Sequence, residues 1–156
     1  MYLVKKDDDK KLYAMKVIRK DVILEEDMLK NIIEEKGILN DGNHPFMVHM
    51  NFMFQNDVRL FFVMDLVEGG ELWDHLREQT RYPESQARFY VTQLSMAIGF
   101  LHSKNLLHRD IKPENILMGS DGYLLLTDFG MAKELKGDET ANSFVGTLDY
   151  IAYEIM

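Results

Sequence analysis

Three residues whose side chains could perform group transfer lie within six residues of one another, in the second half of the chain. They are Asp110, Lys112 and Asn115, in the run HRDIKPEN at 108–115. An aspartate can accept the proton of an attacking hydroxyl, and a lysine can neutralise the charge that builds on a transferred phosphoryl group. Amide and carboxylate oxygens are ligands that suit Mg²⁺. These residue types are therefore those that metal-assisted phosphoryl transfer requires.

A further carboxylate follows in the triplet DFG that begins at Asp128, 13 residues after Asn115. Two short apolar segments, 116–118 and 123–126, separate the motifs, and the Asp-Gly pair between these segments is a typical hairpin turn. Because the motifs flank a hairpin, we expect Asn115 and Asp128 to lie side by side at its open end, where their oxygens could hold a metal ion. The two motifs at this spacing are far more specific than either triplet alone.

Two charged residues interrupt apolar patterns in the first part of the chain. One face of a predicted strand carries Leu12, Ala14, Lys16 and Ile18, and the apolar stripe of a predicted helix carries Met28, Ile32, Glu35 and Leu39. Buried lysine and glutamate side chains are almost always paired, so Lys16 and Glu35 are expected to meet. The alternative is that Lys16 extends to solvent and Glu35 lies at the edge of its stripe. The periodicity by itself leaves both open.

The elements that must position these residues change in character along the chain. Apolar periodicity and turn residues predict strands at 12–18, 47–54 and 58–67, a helix at 21–39, and further helices at 71–78 and 84–103. The pair Gly69-Gly70 marks the change from strands to helices. We therefore expect an α+β chain with a strand-rich part at 1–67, a helix-rich part at 68–156, and a ligand crevice between them.

The composition excludes several kinds of function. The 156 residues carry a net charge of −8, which argues against nucleic acid as a partner. Without cysteine there is no disulfide, cysteine-type zinc site or thiol catalysis, and the five histidines do not have metal-site spacing. No apolar run approaches the roughly 18 residues of a membrane span, and MYLVKKDDDKK is not a signal peptide. We expect a soluble cytoplasmic protein.

Together these motifs resemble the eukaryotic protein kinase superfamily over essentially the whole chain. The segments similar to its AGC group of Ser/Thr kinases are YAMKVI, FVMDLVEGGEL, ARFY, HRDIKPENIL, TDFGMAKE and GTLDYIA. The resemblance implies a partial two-lobed kinase-like fold: a small antiparallel β lobe with one helix at 1–67, and an incomplete, mostly helical lobe at 68–156. It implies transfer of the ATP γ-phosphoryl group to a protein Ser or Thr hydroxyl, with Mg²⁺.

The resemblance also implies roles for individual residues. Lys16 would hold the α- and β-phosphates with Glu35 as its partner, Asp110 would be the catalytic base, and Lys112 would steady the γ-phosphate. The remaining implied ligands are Asn115 and Asp128 for Mg²⁺, Met64 as gatekeeper, the backbone of Asp65 and Val67 for adenine, and Ala14 and Leu117 on the two faces of the adenine ring.

Two further sets of residues have implied roles in substrate binding and regulation. Glu71 and Glu114 match positions that can receive a substrate arginine, although either could be a solvated surface charge. Ser143 matches a hydroxyl phosphorylated by an upstream kinase, with Arg109 and Lys133 placed to receive the phosphate. The alternative is an unmodified serine in a polar loop.

Three departures from the family pattern favour a fragment. No GxGxxG phosphate loop occurs, the chain stops at Met156, and the expected Ala-Pro-Glu reads Ala-Tyr-Glu at 152–154. We expect the inner faces of the helices at 71–78 and 84–103 to be partly uncovered. The alternative to an active kinase is therefore a catalytically impaired fragment that acts as a binding or regulatory module. A small-molecule phosphotransferase is disfavoured by the complete HRDIKPEN run.

Overall fold

The computed structural model describes residues 1–22, 44–135 and 145–153. The strands are β1 (Tyr2–Lys5), β2 (Leu12–Arg19), β3 (Met50–Gln55), β4 (Arg59–Asp65), β5 (Leu106–Leu107), β6 (Ile116–Met118), β7 (Leu124–Leu126) and β8 (Lys133–Glu134). The helices are α1 (Leu72–Gln79) and α2 (Glu84–Ser103). The helix predicted at 21–39 falls almost entirely outside the described residues, and with it Glu35.

The four long strands form one antiparallel sheet in the order β1-β2-β4-β3. Strand β4 shows why this segment is extended, because Leu60, Phe62 and Met64 alternate along one face and are all buried. The strand predicted from residue 47 begins at Met50 instead, since the backbone of residues 46–48 pairs with β7. Local sequence pattern does not reveal that tertiary pairing.

Helix α2 has the bounds that its periodicity predicts. It begins after Pro83, which suits the start of a helix, and buries Tyr90, Gln93, Ala97 and Leu101 at spacings of three and four residues. Its other face leaves Phe89, Val91 and Met96 exposed.

Strands β6 and β7 form the predicted hairpin, with Ile116 opposite Leu126 and Met118 opposite Leu124. The turn contains Gly122 at φ +82°, a left-handed conformation that glycine adopts without steric cost. Leu124 and Leu126 are fully buried in the main apolar core. The hairpin is therefore a rigid support for the residues at its open end.

The sheet and the hairpin are joined through the backbone. The N–H of Val48 donates to the carbonyl of Leu126, and the N–H of Leu126 donates to the carbonyl of Phe46, each at 2.9 Å. We call these two bonds the seam. The division of the chain at residues 67 and 68 into two lobes stays a prediction. Neither helix among the described residues has the length and apolar character needed to cross a membrane.

Candidate active site

A cavity of about 500 Å³ lies between the sheet and the β6–β7 hairpin. This volume is in the range of small-molecule sites. Every residue predicted to bind the nucleotide lines it: Ala14, Lys16, Met64, Asp65, Val67, Leu117 and Asp128. Asn115, Glu71 and Glu114 line it as well. The fold thus brings together residues that lie more than 100 positions apart in the sequence.

Lys16 and Asp128 form an ion pair at this cavity, with 2.6 Å between Nζ and Oδ1. Strand β2 positions Lys16 opposite Phe62 of β4, on the face that also carries Ala14. Burial by itself raises the pKa of Asp128, but the charge and hydrogen bond of Lys16 outweigh it, so the pKa lies below its ordinary value. The predicted pairing of Lys16 with Glu35 lies outside the described residues and stays a prediction.

The backbone around Asp128 is held in an unusual conformation. Asp128 has φ 59°, in the left-handed region that residues other than glycine rarely adopt. Its Oδ1 accepts the N–H of Gly130 at 3.3 Å. A Cβ atom on residue 130 would lie 3.2 Å from that oxygen and 3.6 Å from the Lys16 amine. Glycine at this position therefore leaves room for the ion pair.

Asp110 is a buried carboxylate, only 8% exposed, that accepts three side-chain hydrogen bonds. Its Oδ1 accepts the hydroxyl of Thr147 at 2.7 Å, and its Oδ2 accepts Asn115 Nδ2 at 2.8 Å and Lys112 Nζ at 3.0 Å. Burial by itself raises its pKa, but the bonds from Thr147, Lys112 and Asn115 together hold the pKa below its ordinary value. Asp110 is therefore an anion and a hydrogen-bond acceptor at neutral pH.

The contacts of Asn115 orient its amide. Its Nδ2 donates both to the carboxylate and to the backbone carbonyl of Asp110. The side-chain oxygen of Asn115 is therefore the atom that could bind a metal ion. Its backbone carbonyl accepts the N–H of Thr127, the residue before Asp128. The hairpin therefore holds Asn115 and Asp128 at its open end, as their spacing predicts.

These two residues suit a magnesium ion that is also bound by phosphate. No group of three or more His, Cys, Asp or Glu side chains in the described part of the chain could hold a metal alone. Mg²⁺ is usually held by one or two protein ligands together with water and substrate phosphates. One amide oxygen and one carboxylate at the cavity match that requirement.

Thr147 is a site residue that sequence reasoning missed. Its hydroxyl accepts Lys112 Nζ at 2.8 Å and donates to Asp110 at 2.7 Å, so it bridges the side chains of Lys112 and Asp110. It lies 37 residues after Asp110, and the only local signal is a Gly-Thr pair in a polar segment. Only the fold reveals its role.

His108 supports the site through its hydrogen bonds and its ring contact. Its Nδ1 accepts the N–H of Asp110 at 3.3 Å, its Nε2 donates to the carbonyl of Thr127 at 3.0 Å, and its ring contacts Phe129 edge to face. Burial lowers its pKa. The neutral imidazole thus links the HRD and DFG segments.

The cavity wall formed by β4 has few free polar groups. Met64 is buried opposite Ala14. The N–H of Asp65 donates to the carbonyl of His49, and its carboxylate accepts Asn51 and Lys11. A nucleotide contact at Asp65 would therefore fall to its carbonyl oxygen.

The residues predicted to receive a phosphate lie beside the segment after DFG. Arg109 Nε donates to the carbonyl of Met131 at 2.6 Å, and Lys133 lies on β8 opposite Leu107. Ser143 lies outside the described residues.

The two predicted substrate-binding carboxylates both border the cavity. Glu71 is exposed at the start of α1, and its side chain makes no capping bond to the helix. Glu114 is partly buried, and its Oε2 has no hydrogen-bond partner among the described residues. A buried, unpaired carboxylate oxygen is costly, which favours a cationic ligand at this position.

This arrangement of sheet, helices and cavity brings together the residues that the sequence predicts for phosphoryl transfer. The chain matches the family model of the protein kinase domain over residues 1–156 and belongs to that family. The predicted family and the α+β kinase-like fold class are confirmed.

Relatives of the chain include serine/threonine-protein kinases of several organisms. They include sgk-1 of Caenorhabditis elegans at 44% identity, Sgk1 of Xenopus tropicalis at 42% and Sgk2 of Mus musculus at 43%. The alignments cover 100%, 99% and 99% of this chain but 34%, 37% and 42% of those relatives. The chain therefore spans about a third to two fifths of the length of the relatives it matches. These relatives are of the AGC type, in agreement with the resemblance.

Proposed function

We propose that this chain is a catalytic-domain segment of a Ser/Thr protein kinase that transfers the γ-phosphoryl group of ATP to a protein hydroxyl. The observation that carries the proposal is the 2.6 Å ion pair of Lys16 and Asp128 at a cavity that also borders Asn115. A lysine held beside a potential metal ligand is what a triphosphate needs, because cations must neutralise its charge.

Asp110 is the base in this proposal. Its carboxylate accepts three side-chain hydrogen bonds, from Thr147, Asn115 and Lys112, whereas a carboxylate has about four acceptor sites. One site remains for the substrate hydroxyl. As the new bond to phosphorus forms and the bond to the leaving ADP breaks, the hydroxyl proton passes to Asp110.

Lys112 and the metal ligands stabilise charge. The hydrogen bond to Asp110 raises the pKa of Lys112, which keeps its amine cationic. Mg²⁺ would supply charge neutralisation on the phosphates, held by Asn115 and Asp128. Lys16 would bind the α- and β-phosphates, and Met64, Ala14 and Leu117 would enclose the adenine.

We infer that the substrate class is peptides with arginine near the Ser or Thr, because Glu71 and Glu114 border the cavity and Glu114 Oε2 has no hydrogen-bond partner within residues 1–22, 44–135 and 145–153. An upstream kinase would phosphorylate Ser143, and Arg109 and Lys133 would receive that phosphate. Because its reaction uses ATP, we place the protein in the cytoplasm.

Phosphate transfer by the purified 156-residue chain tests the proposal. We expect Mg²⁺-dependent transfer from labelled ATP to an Arg-containing Ser peptide. Asp110→Asn keeps the shape but removes the base, so its rate should fall at least 10²-fold, within the range that general-base catalysis contributes. Asp74→Asn is the matched control, because Asp74 is exposed on α1, and its rate should equal that of the wild type.

A wild-type rate equal to that of Asp110→Asn would reject the enzyme proposal for this chain. The second candidate, a binding or regulatory module, would then stand.

A further inference from the structure

The segment that joins the sheet to α1 packs directly against strand β6. A Cβ atom on Gly69 would lie 2.2 Å from the carbonyl oxygen of Met118, so the two backbones are in contact. The N–H of Met118 donates to the carbonyl of Gly70 at 2.9 Å, and Glu71 forms an isolated β-bridge with Leu117. Strand β6 therefore holds one side of this segment, which we call the linker (residues 69–71).

A histidine holds the other side of the linker. His75 lies one turn inside α1, is partly buried, and has its Nε2 2.6 Å from the carbonyl oxygen of Gly69. A carbonyl oxygen only accepts, so Nε2 carries the proton. The carbonyl of Gly69 is thereby tied to the first turn of the helix.

The linker ends at a residue of the cavity. Gly70 has φ +78°, a left-handed turn that directs the chain into α1 at Glu71. Glu71 occupies the position before the helix, where its side chain makes no capping bond, and the residue lines the cavity together with Glu114. The position of the Glu71 carboxylate therefore depends on how firmly the linker is held.

We propose that His75 is a positioning residue for the acidic subsite formed by Glu71 and Glu114. By donating Nε2–H to Gly69, it fixes the linker against β6 and so fixes the carboxylate of Glu71 at the cavity. It thereby sets the preference of the chain for peptides that carry arginine. This inference rests on the proposed substrate class.

The positioning role proposed for His75 predicts a different outcome from a role in stabilising α1 alone. If His75 only stabilised α1, its loss would lower stability without changing which peptide binds. If it positions Glu71, its loss removes the discrimination between a charged and a neutral peptide. Glutamine can place its side-chain N–H near the position of Nε2, so it should restore the function, whereas leucine cannot.

Peptide binding by the full 156-residue chain tests this inference. The probes are two fluorescent peptides with the acceptor serine replaced by alanine, one with arginine and one with citrulline, its neutral isostere. Fluorescence polarisation gives the ratio of their dissociation constants. We expect the wild type and His75→Gln to prefer arginine about tenfold or more, as a charge-assisted hydrogen bond would give. The preference of His75→Leu should fall below about threefold, as should that of Glu71→Gln.

Citrulline-peptide binding should be the same in the wild type, His75→Gln and His75→Leu. His75→Asn replaces His75→Leu if the latter does not fold, because its amide is too short to reach Gly69, and the same loss is expected. The inference would be overturned if His75→Leu or His75→Asn kept the wild-type preference for the arginine peptide. It would also be overturned if His75→Gln lost that preference as fully as His75→Leu. Equal binding of both peptides by the wild type would reject the acidic subsite itself. The separate transfer assay would still report on kinase activity.

Discussion

Arg109 and Asp128 have left-handed backbones although neither is glycine, with φ 67° and 59°. Such conformations cost on the order of 1–3 kcal/mol each and persist where surrounding contacts enforce them. Here the enforcing contacts are those of Arg109 with Met131 and of Asp128 with Lys16 and Gly130. Both residues thus store backbone strain that the hydrogen bonds of their own side chains maintain.

Protonation of His108 should make stability depend on pH. Burial holds the pKa of His108 below its ordinary value of 6.5, so as the pH falls the unfolded chain takes up this proton first. The free energy of unfolding should therefore decrease as the pH falls below about 6.5, by up to about 1.4 kcal/mol per pH unit, until the folded pKa is reached. In His108→Phe, the difference between pH 7.5 and 5.5, measured by urea denaturation, should shrink by roughly 1 kcal/mol.

The control for this experiment is His102→Gln, because His102 is exposed on the same chain. Its pH profile should follow that of the wild type. An unchanged profile in His108→Phe would contradict the assigned neutral imidazole.

The chemistry of residues in contiguous motifs could be predicted from the sequence, as could the proximity of two residues that flank one hairpin, whereas contacts with residues outside those motifs could not. Spacing alone brought Asn115 and Asp128 together, because a short hairpin fixes both. The hydroxyl of Thr147 bonds to Asp110, which is distant in the sequence, and a ring nitrogen of His75 bonds to the backbone carbonyl of Gly69. Threonine and histidine are common in such segments, so their types carry no signal of these bonds.

At the scale of elements, prediction succeeded where local periodicity decides the structure. The bounds of α2 follow from its apolar stripe and Pro83. The pairing of β5 with β8 was not predicted, because two residues are too short for a pattern and the partner lies more than 25 positions away. The start of β3 was predicted too early because the backbone of the residues before it pairs with β7 through the seam.

Two glycine substitutions should have opposite effects on stability. Gly69→Ala forces a Cβ against the Met118 carbonyl at 2.2 Å, so the linker or β6 must shift, and we expect a loss of about 1–3 kcal/mol in the free energy of unfolding. Gly99→Ala adds a Cβ with nothing within 4 Å, four residues before the end of α2, and should raise the free energy of unfolding by about 0.8–1 kcal/mol. Denaturant titration measures both, and a stabilised Gly69→Ala would contradict the close packing of the linker.

The whole molecule should unfold as one unit because the seam joins its sheet to its hairpin. Met47, Val48 and Leu126 are each at most 2% exposed. Their amides should exchange with deuterium only through global opening, so Val48 and Leu126 should exchange at least about 10³-fold more slowly than Lys10, whose amide bonds across an exposed turn. Nuclear magnetic resonance measures this, and rapid exchange of Val48 would mean that the sheet opens independently.

Because the seam consists of main-chain groups, the side chains at positions 46, 48 and 126 can change without the loss of either hydrogen bond. Proline is the exception, since it lacks the N–H that positions 48 and 126 must donate. Apolar residues of similar volume can therefore replace one another there over long divergence. The connection between the sheet and the β6–β7 hairpin thus depends on the backbone rather than on any particular amino acid.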